Sequence, residues 1–207
     1  MRLVAVSDTH GHLPAHAVPD GDVLIHAGDL TRMGTLEQIA AAGAWLRSLP
    51  HRDKIVIAGN HDFAFEREPA AALAAFGEGF TYLLDAGVTI AGVRFWGSPW
   101  QPQFFDWAFN LDRGAPLAEK WALVPGDTDV LITHGPPQGI LDRTAGGDAA
   151  GCADLLARVA AVRPRAHVFG HIHEAAGVVE RDGTTFVNAS ICDLRYRPVN
   201  PPRVLDL

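Results

Sequence analysis

The sequence predicts an α/β protein, and three features support this fold class. Five short apolar runs rich in valine and isoleucine each end abruptly in polar residues, which is typical of strands buried on both faces. The runs are Leu3–Val6, Val23–Ile25, Ile55–Ala58, Val130–Ile132 and Val168–Phe169. Amphipathic helical patterns lie between them, and this alternation indicates an α/β core. Further strand patterns cluster over 81–97 and 176–206 and predict a second, partly antiparallel sheet.

Two helices and one hairpin are predicted in detail. Apolar residues at helical spacing predict a helix over about 35–48 and another over about 151–162, which Pro164 stops. Residues 177–180 and 184–188 alternate like strands on either side of an Arg-Asp-Gly turn, so they predict a β-hairpin.

The segment 98–114 has no clean period and is rich in aromatic residues. A loop of this length is typical either of a lid or binding wall, or of an Ω-loop that packs on its own rings. The sequence alone leaves both alternatives open.

Length and composition limit the classes of protein that fit. A chain of 207 residues predicts a single domain over 1–207. It has neither a membrane-length apolar stretch nor a signal peptide, so we expect a cytoplasmic protein without a membrane partner. The net charge of −7 argues against binding of long nucleic acids. Cys152 and Cys192 are expected to be buried thiols.

Each predicted strand run delivers Asp, Asn or His to its end. These residues are Asp8, His10, Asp29, Asn60, His61, His134, His171 and His173. In open α/β sheets, ligands bind at the carboxyl ends of the strands, so these side chains are expected to meet. Oxygen and nitrogen ligands without sulfur favour metals such as Mn, Fe, Zn, Co or Ni. Two such ions close together can clamp a phosphoryl group and activate a water molecule.

The combined pattern carries the prediction, because each motif alone is weak. An Asp-x-His pair occurs by chance, whereas five blocks in order at strand ends are hard to explain as structural residues. Glycines flank the blocks, where they permit tight turns and close approach of a substrate. They are Gly28, Gly59, Gly135 and Gly170.

This set of motifs resembles that of the calcineurin-like metallophosphoesterases over nearly the whole chain. The motifs are Asp8-Thr9-His10, Gly28-Asp29, Gly59-Asn60-His61-Asp62, Thr133-His134-Gly135 and Gly170-His171-Ile172-His173. The resemblance is closest to the metallophosphoesterase-domain-containing subfamily, related to class III cyclic nucleotide phosphodiesterases. It rests there on Lys54–Asn60, His134–Pro137, Arg163–Gly170, His173-Glu174, Asn188–Ser190 and Pro198–Pro202. The fold implied is a four-layer α-β-β-α sandwich of two mixed sheets.

The resemblance also implies a role for each position. One metal would take Asp8, His10 and His173, and the other would take Asn60, His134 and His171. Asp29 would bridge the two metals, as would a water or hydroxide that attacks phosphorus. His61 would protonate the leaving oxygen or stabilise the phosphoryl charge, with Asp62 orienting its ring, and Asn60 and His61 would contact the substrate. Some animal members lack a histidine at the position of His171, so its presence here predicts two bound metals.

Aromatic residues of the 98–114 segment are candidates for stacking on a nucleobase. Trp100 and Phe104 are the predicted substrate contacts, with Phe105 and Trp107 beside them, and core packing is the alternative for all four. Among the remaining histidines, His12 and His26 are near the ligands in sequence and are candidates to contact the ligands rather than the metals.

The predicted function is a two-metal phosphodiesterase, with manganese as the expected metal. Small phosphodiesters, above all cyclic nucleotides, are the expected substrates. The same site would also suit a phosphomonoesterase or a nuclease for short pieces. The alternative outside enzymes is a regulatory protein that binds metal and nucleotide with weak turnover, and a homodimer is left open.

Overall fold

The computed structural model of the protein describes residues 1–12 and 16–207. Within these residues the strands are β1 (Arg2–Val6), β2 (Val23–Ala27), β3 (Asp53–Ile57), β4 (Thr81–Tyr82), β5 (Ala86–Ile90), β6 (Val93–Ser98), β7 (Gln101–Pro102), β8 (Asn110–Leu111), β9 (Val130–Thr133), β10 (Ala166–Phe169), β11 (Gly177–Arg181), β12 (Thr184–Asn188) and β13 (Arg203–Asp206). The helices are α1 (Leu36–Ser48), α2 (Phe63–Arg67), α3 (Pro69–Phe76), α4 (Ala115–Ala122) and α5 (Ala153–Val162), with a 3₁₀ turn at His173–Ala175.

Two mixed sheets organise the protein. The first has the order β13-β1-β2-β3-β4, in which β1 to β4 run parallel and β13 pairs antiparallel with β1. The second has the order β11-β12-β10-β9-β6-β5, with four parallel strands at its centre and an antiparallel strand at each edge. Parallel central strands place their carboxyl ends at one edge of each sheet, which is where the predicted ligands lie.

The sheets pack face to face, with helices on both outer faces. Alternate residues of β1 point in opposite directions, so Leu3 and Ala5 enter the core between the sheets while Val4 and Val6 face α1 and α3. On the far side, Phe169 and its neighbours pack against α4 and α5. The predicted α-β-β-α sandwich of two mixed sheets is therefore confirmed.

The two predicted helices form close to their predicted bounds. Thr35 precedes α1 and its side chain accepts a hydrogen bond from the backbone N–H of Gln38, which satisfies one unpaired donor of the first turn. Helix α5 begins after Cys152 and ends at Val162, because the next residue, Arg163, has a left-handed backbone and is followed by Pro164. The predicted hairpin forms as β11 and β12. Over the described residues, no helix is both long and apolar enough to cross a membrane.

One expectation about the outer strands needs correction. The strands within 81–97 and 176–206 do not all belong to the second sheet, because β4 and β13 pair at the edges of the first. The segment 98–114 contains a little regular structure, because β7 and β8 within it form a short parallel pair.

Candidate metal centre

The predicted ligands come together where the two sheets meet. Asp8, Asp29 and Asn60 follow strands of the first sheet, whereas His134 and His171 follow strands of the second. The sheets are joined at this end by a bond from the backbone N–H of Ser7 to the carbonyl of Ala189, 2.9 Å long. The centre therefore depends on both sheets and on the interface between them.

Asp8, His10 and His173 form one compact group of ligand atoms, all within 4.8 Å of one another. The Nε2 atoms of the two imidazoles lie 3.2 Å apart, and Asp8 Oδ1 lies 3.4 Å from that of His173. Each ring donates its Nδ1 hydrogen to a backbone carbonyl, of Thr31 for His10 and of Asp193 for His173. This is the usual arrangement of metal-binding histidines, whose second nitrogen is held by a hydrogen bond.

This arrangement needs added positive charge, from a proton or from a metal ion. With Nδ1 protonated, a neutral imidazole presents a lone pair at Nε2, so His10 and His173 turn two lone pairs toward each other beside a carboxylate. Lone pairs at this distance repel unless a proton or a metal ion lies between them. The residues therefore fit a bound metal, and the oxygen and nitrogen donors match the metals expected from the sequence.

Asp29 lies between two imidazoles that come from different strands. Its Oδ2 is 3.7 Å from His10 Nε2, and its Oδ1 is 3.5 Å from His134 Nε2. His134 also lies 2.8 Å from the Oδ1 of Asn60, and its Nδ1 is held by the carbonyl of Ala27. A carboxylate with one oxygen toward each set of ligands has the position that a bridge between two metals needs.

His171 enters the centre from the second sheet. Its ring lies 5.1 Å from that of His134, and its backbone N–H donates to both carboxylate oxygens of Asp8. Hence Asp8 and His171 are held together even without a metal. The assignment of each residue to one metal or the other stays a prediction.

Four of the predicted ligands have left-handed backbone conformations. The φ angles are 54° at Asp8, 47° at His10, 55° at Asp29 and 67° at His171. Such conformations cost on the order of 1–3 kcal/mol each in residues other than glycine and persist only where the surroundings impose them. The concentration of this strain at the centre indicates that the fold is shaped to present these side chains.

The electrostatics of the centre favour added positive charge. Burial lowers the pKa of His134 and His173, but the Asp29 and Asp8 carboxylates outweigh it and raise both to about 9. Burial raises the pKa of Asp8, yet His173, His134 and His10 hold it well below its usual range. A proton supplies the charge these carboxylates stabilise, and a metal cation would supply it in its place.

His61 lies beside the ligands, but its ring is not oriented by Asp62. The Nδ1 of His61 bonds to the carbonyl of Arg32 at 2.8 Å, and its ring lies 4.7 Å from that of His10. The Asp62 carboxylate accepts bonds from the backbone N–H groups of Leu30, Thr31 and Gly59 and from the Thr31 hydroxyl. The predicted role of Asp62 is therefore corrected: it ties together the two loops that carry Asp29 and Asn60.

The aromatic segment divides into an anchored ring and exposed rings. Trp100 donates its indole N–H to Asp85 at 2.9 Å, and Lys120 lies over its ring at 4.4 Å. These contacts make Trp100 an anchor of the segment, and its role in substrate binding stays a prediction. Phe104 is 46% exposed and lies 6.0 Å from the ring of His171, while Trp107 lies 4.3 Å from that of His61.

Tyr196 belongs to the centre, although sequence reasoning missed it. Its ring lies 4.7 Å from His10, 5.6 Å from His173 and 6.1 Å from His61, so it closes one side of the ligand cluster. It sits in a loop without periodicity, far along the chain from His10, and no local pattern marks it. Ser190 also supports the centre, since its hydroxyl donates to Asp8 Oδ2 at 2.6 Å.

A family profile described as "Calcineurin-like phosphoesterase superfamily domain" matches residues 1–195, which include all seven predicted metal ligands. The chain belongs to this family. The family consists of metal-dependent phosphoester hydrolases and generally depends on two metal ions, consistent with the ligand groups above.

Known relatives agree with this assignment. Human metallophosphoesterase domain-containing protein 1 is 46% identical over 230 residues, which cover 100% of this chain and 71% of the relative. The protein UPF0046 K07C11.7 of Caenorhabditis elegans is 43% identical and covers 96% of this chain and 74% of its own length. The predicted subfamily is therefore confirmed.

A solved structure supports the fold alone. TT1561 of Thermus thermophilus superposes with a TM-score of 0.60 at 15% identity, covering 90% of this chain and 88% of the other.

Proposed function

We propose that this calcineurin-like phosphoesterase is a two-metal phosphodiesterase that acts on small phosphodiesters, with cyclic nucleotides as the preferred class. The observation that carries the proposal is the Asp29 carboxylate, which places one oxygen toward the Asp8, His10 and His173 group and the other toward His134. When bound, two metal ions supply charge neutralisation of the phosphoryl group and an activated water molecule.

The chain's own residues supply positioning and proton transfer. Asp8 and Asp29 are fixed by hydrogen bonds from Ser190 and from backbone N–H groups, so their oxygens are presented without rearrangement. We propose that His61 donates a proton to the leaving oxygen, because its ring lies beside the ligands and is held by the Arg32 carbonyl.

Two observations support a small nucleotide as substrate. Phe104 and Trp107 flank His171 and His61, and their rings lie 5.3 Å apart at the rim of the centre, where a nucleobase could stack. A net charge of −7 disfavours long nucleic acids, whose binding depends on surplus lysine and arginine.

The decisive assay compares a diester with its monoester. Chelator-stripped protein should regain hydrolysis of bis(p-nitrophenyl) phosphate, more than of p-nitrophenyl phosphate, when it is reloaded to about two Mn²⁺ per chain. His171→Ala should bind about one Mn²⁺ and lose diester turnover by more than about 100-fold, since it removes a ligand rather than an outer partner. Cyclic nucleotides would then be tested as substrates.

Two results would count against the phosphodiesterase. One bound metal per wild-type chain at saturating Mn²⁺ would exclude the two-metal centre. No turnover of either ester with both metals bound, together with tight nucleotide binding, would favour the regulatory binding protein.

The base-stacking role of Phe104 can be tested separately. Phe104→Ala is expected to raise KM for a cyclic nucleotide about 10-fold, which is within the range measured when one stacking ring is lost. KM for a small aryl diester should rise less. Leu123→Ala is the control, because this side chain is 51% exposed and lies directly after α4, outside the 98–114 segment. Equal increases in KM for both substrates would refute the stacking role.

A further inference from the structure

Two buried histidines outside the ligand set make the same kind of contact on opposite sides of the protein. His26 in β2 places its Nε2 atom 3.0 Å from the hydroxyl of Thr9, and His167 in β10 places its Nε2 2.8 Å from the hydroxyl of Thr133. All four side chains are buried. Each threonine stands immediately before a predicted metal ligand, His10 and His134 respectively.

The two pairs lie on the outer faces of the two sheets. The ring of His26 faces α1, with Trp45 at 6.2 Å, whereas His167 packs between Phe169 and Phe186 at 5.0 and 5.8 Å. The metal centre lies at the carboxyl ends of the strands of both sheets. The His26–Thr9 pair therefore adjoins the ligands from the first sheet, and the His167–Thr133 pair adjoins those from the second.

The backbone carbonyl beside each threonine hydroxyl assigns a direction to each threonine–histidine contact. The Thr9 hydroxyl donates to the carbonyl of Leu30 at 3.2 Å, and the Thr133 hydroxyl donates to that of Gly135 at 2.7 Å. A hydroxyl has only one proton to donate, so with that proton on the carbonyl each histidine is assigned as the donor, from its Nε2 hydrogen to the threonine oxygen. The remaining Nδ1 atoms of both histidines then carry a lone pair in apolar surroundings without a partner among the described residues.

An unpartnered buried nitrogen is costly, and its presence at both positions indicates a compensating role. Leucine would fill such space without that cost. The contacts of one pair reach the ligand loops: Thr9 lies between Asp8 and His10, both in left-handed conformations, and its hydroxyl bonds to Leu30, the residue after Asp29. Strained backbone persists only when its neighbours hold it in place.

We propose that His26 and His167 are positioning residues for a divalent cation, and that each holds one half of the two-metal centre through a threonine hydroxyl. His26 acts through Thr9 on the metal predicted to take Asp8, His10 and His173. His167 acts through Thr133 on the metal predicted to take His134, Asn60 and His171. The inference rests on the two-metal centre of the proposed function.

The proposal is tested by titrating the chelator-stripped full chain with Mn²⁺. Calorimetry measures the affinity for each ion, and electron paramagnetic resonance detects the pair of magnetically coupled Mn²⁺ ions. His26→Leu and His167→Leu should each keep one metal at wild-type affinity and bind the other about 10- to 100-fold more weakly, as expected when a partner of a ligand is lost. His26→Gln and His167→Gln should stay close to wild type, since the glutamine amide can donate from the place of Nε2.

Double variants identify which metal each histidine serves. His26→Leu combined with His173→Ala should lose little more than His173→Ala alone, because both changes affect the same metal. His26→Leu combined with His134→Ala should weaken both metals. Loss at both metals from either leucine variant, or a loss of metal-free stability with unchanged Mn²⁺ affinity, would overturn the proposal in favour of a general packing role.

Thr9→Val and Thr133→Val provide the second route if a leucine variant does not fold. Valine keeps the shape of threonine but removes the hydroxyl, so the same selective losses are expected. A folded valine variant with wild-type affinity at both metals would also overturn the proposal. Fewer than two Mn²⁺ in the wild type would instead refute the proposed function, so the two failures can be distinguished.

Discussion

Replacing Asp29 with asparagine is expected to reduce phosphodiester turnover by about 10³-fold, comparable to the larger losses seen when a charge-stabilising group is removed. Asparagine keeps the size of the side chain and one carbonyl oxygen. It removes the negative charge that lies between His10 and His134 and turns an NH₂ group toward one of them. Mn²⁺ binding should therefore fall below two ions per chain, measured by metal analysis after desalting.

Stability measurements separate this loss from unfolding. Metal-free Asp29→Asn should remain folded but be less stable than the metal-free wild type, because it leaves the buried His134 ring without its carboxylate partner. The wild type should gain stability when loaded with Mn²⁺, and the variant should gain less, because binding to the native state alone stabilises it. Asp127→Asn is the control, since this aspartate is 60% exposed and pairs with Arg94 at the surface. Unchanged metal content in Asp29→Asn would show that Asp29 does not bridge.

The strands and the candidate ligands were predictable because both depend on local patterns. Buried parallel strands require uninterrupted apolar residues, and their carboxyl ends must meet at one edge. The short helices were harder to predict: α3 is rich in alanine, so it shows little contrast between faces, and α2 spans only five residues. Which sheet an edge strand joins depends on long-range pairing, and the sequence does not encode it locally.

Asp62 and Trp100 show which contacts a linear pattern omits. Asp62 follows His61 in sequence, but its carboxylate turns to the backbone of residues 30, 31 and 59. Trp100 lies in the same aromatic-rich segment as the exposed rings. Its indole N–H nevertheless donates a hydrogen bond to Asp85, 15 positions earlier in the chain. Neighbouring residues often point apart, and a polar group on a large ring selects its partner only in the folded protein.

The left-handed ligands connect the fold to the chemistry. Asp8, His10 and Asp29 take these conformations directly after β1 and β2, where the chain leaves the sheet and turns the side chains inward. Such turns bring backbone atoms of separate loops close together. Where two of these loops touch, the residues next to the ligands must be small, and glycine, which has no side chain, allows the closest approach.

Gly59→Ala is expected to disrupt the metal centre far more than Gly135→Ala, although both substitutions add one methyl group next to a predicted ligand. A Cβ atom at position 59 would overlap Asp29 Oδ1 and the backbone nitrogen of Asp29, and it would lie 2.7 Å from His134 Cε1. The backbone nitrogen cannot rotate away as a flexible side chain could, so the loop carrying Asp29 must move. Forced overpacking of this kind costs about 1–3 kcal/mol of unfolding free energy.

The functional loss should exceed the loss of stability. A shift of about 1 Å in catalytic groups can cost about 100-fold in rate, and here the shift affects both Asp29 and His134. Gly135→Ala is the matched control, because the nearest atom to its Cβ is Gln101 Cβ at 3.6 Å, an ordinary contact. We therefore expect Gly135→Ala to retain two Mn²⁺ and near-normal diester turnover, while Gly59→Ala loses both. If the two variants proved equally active, Asp29 would tolerate displacement, and its fixed position could not be what holds the two metals together.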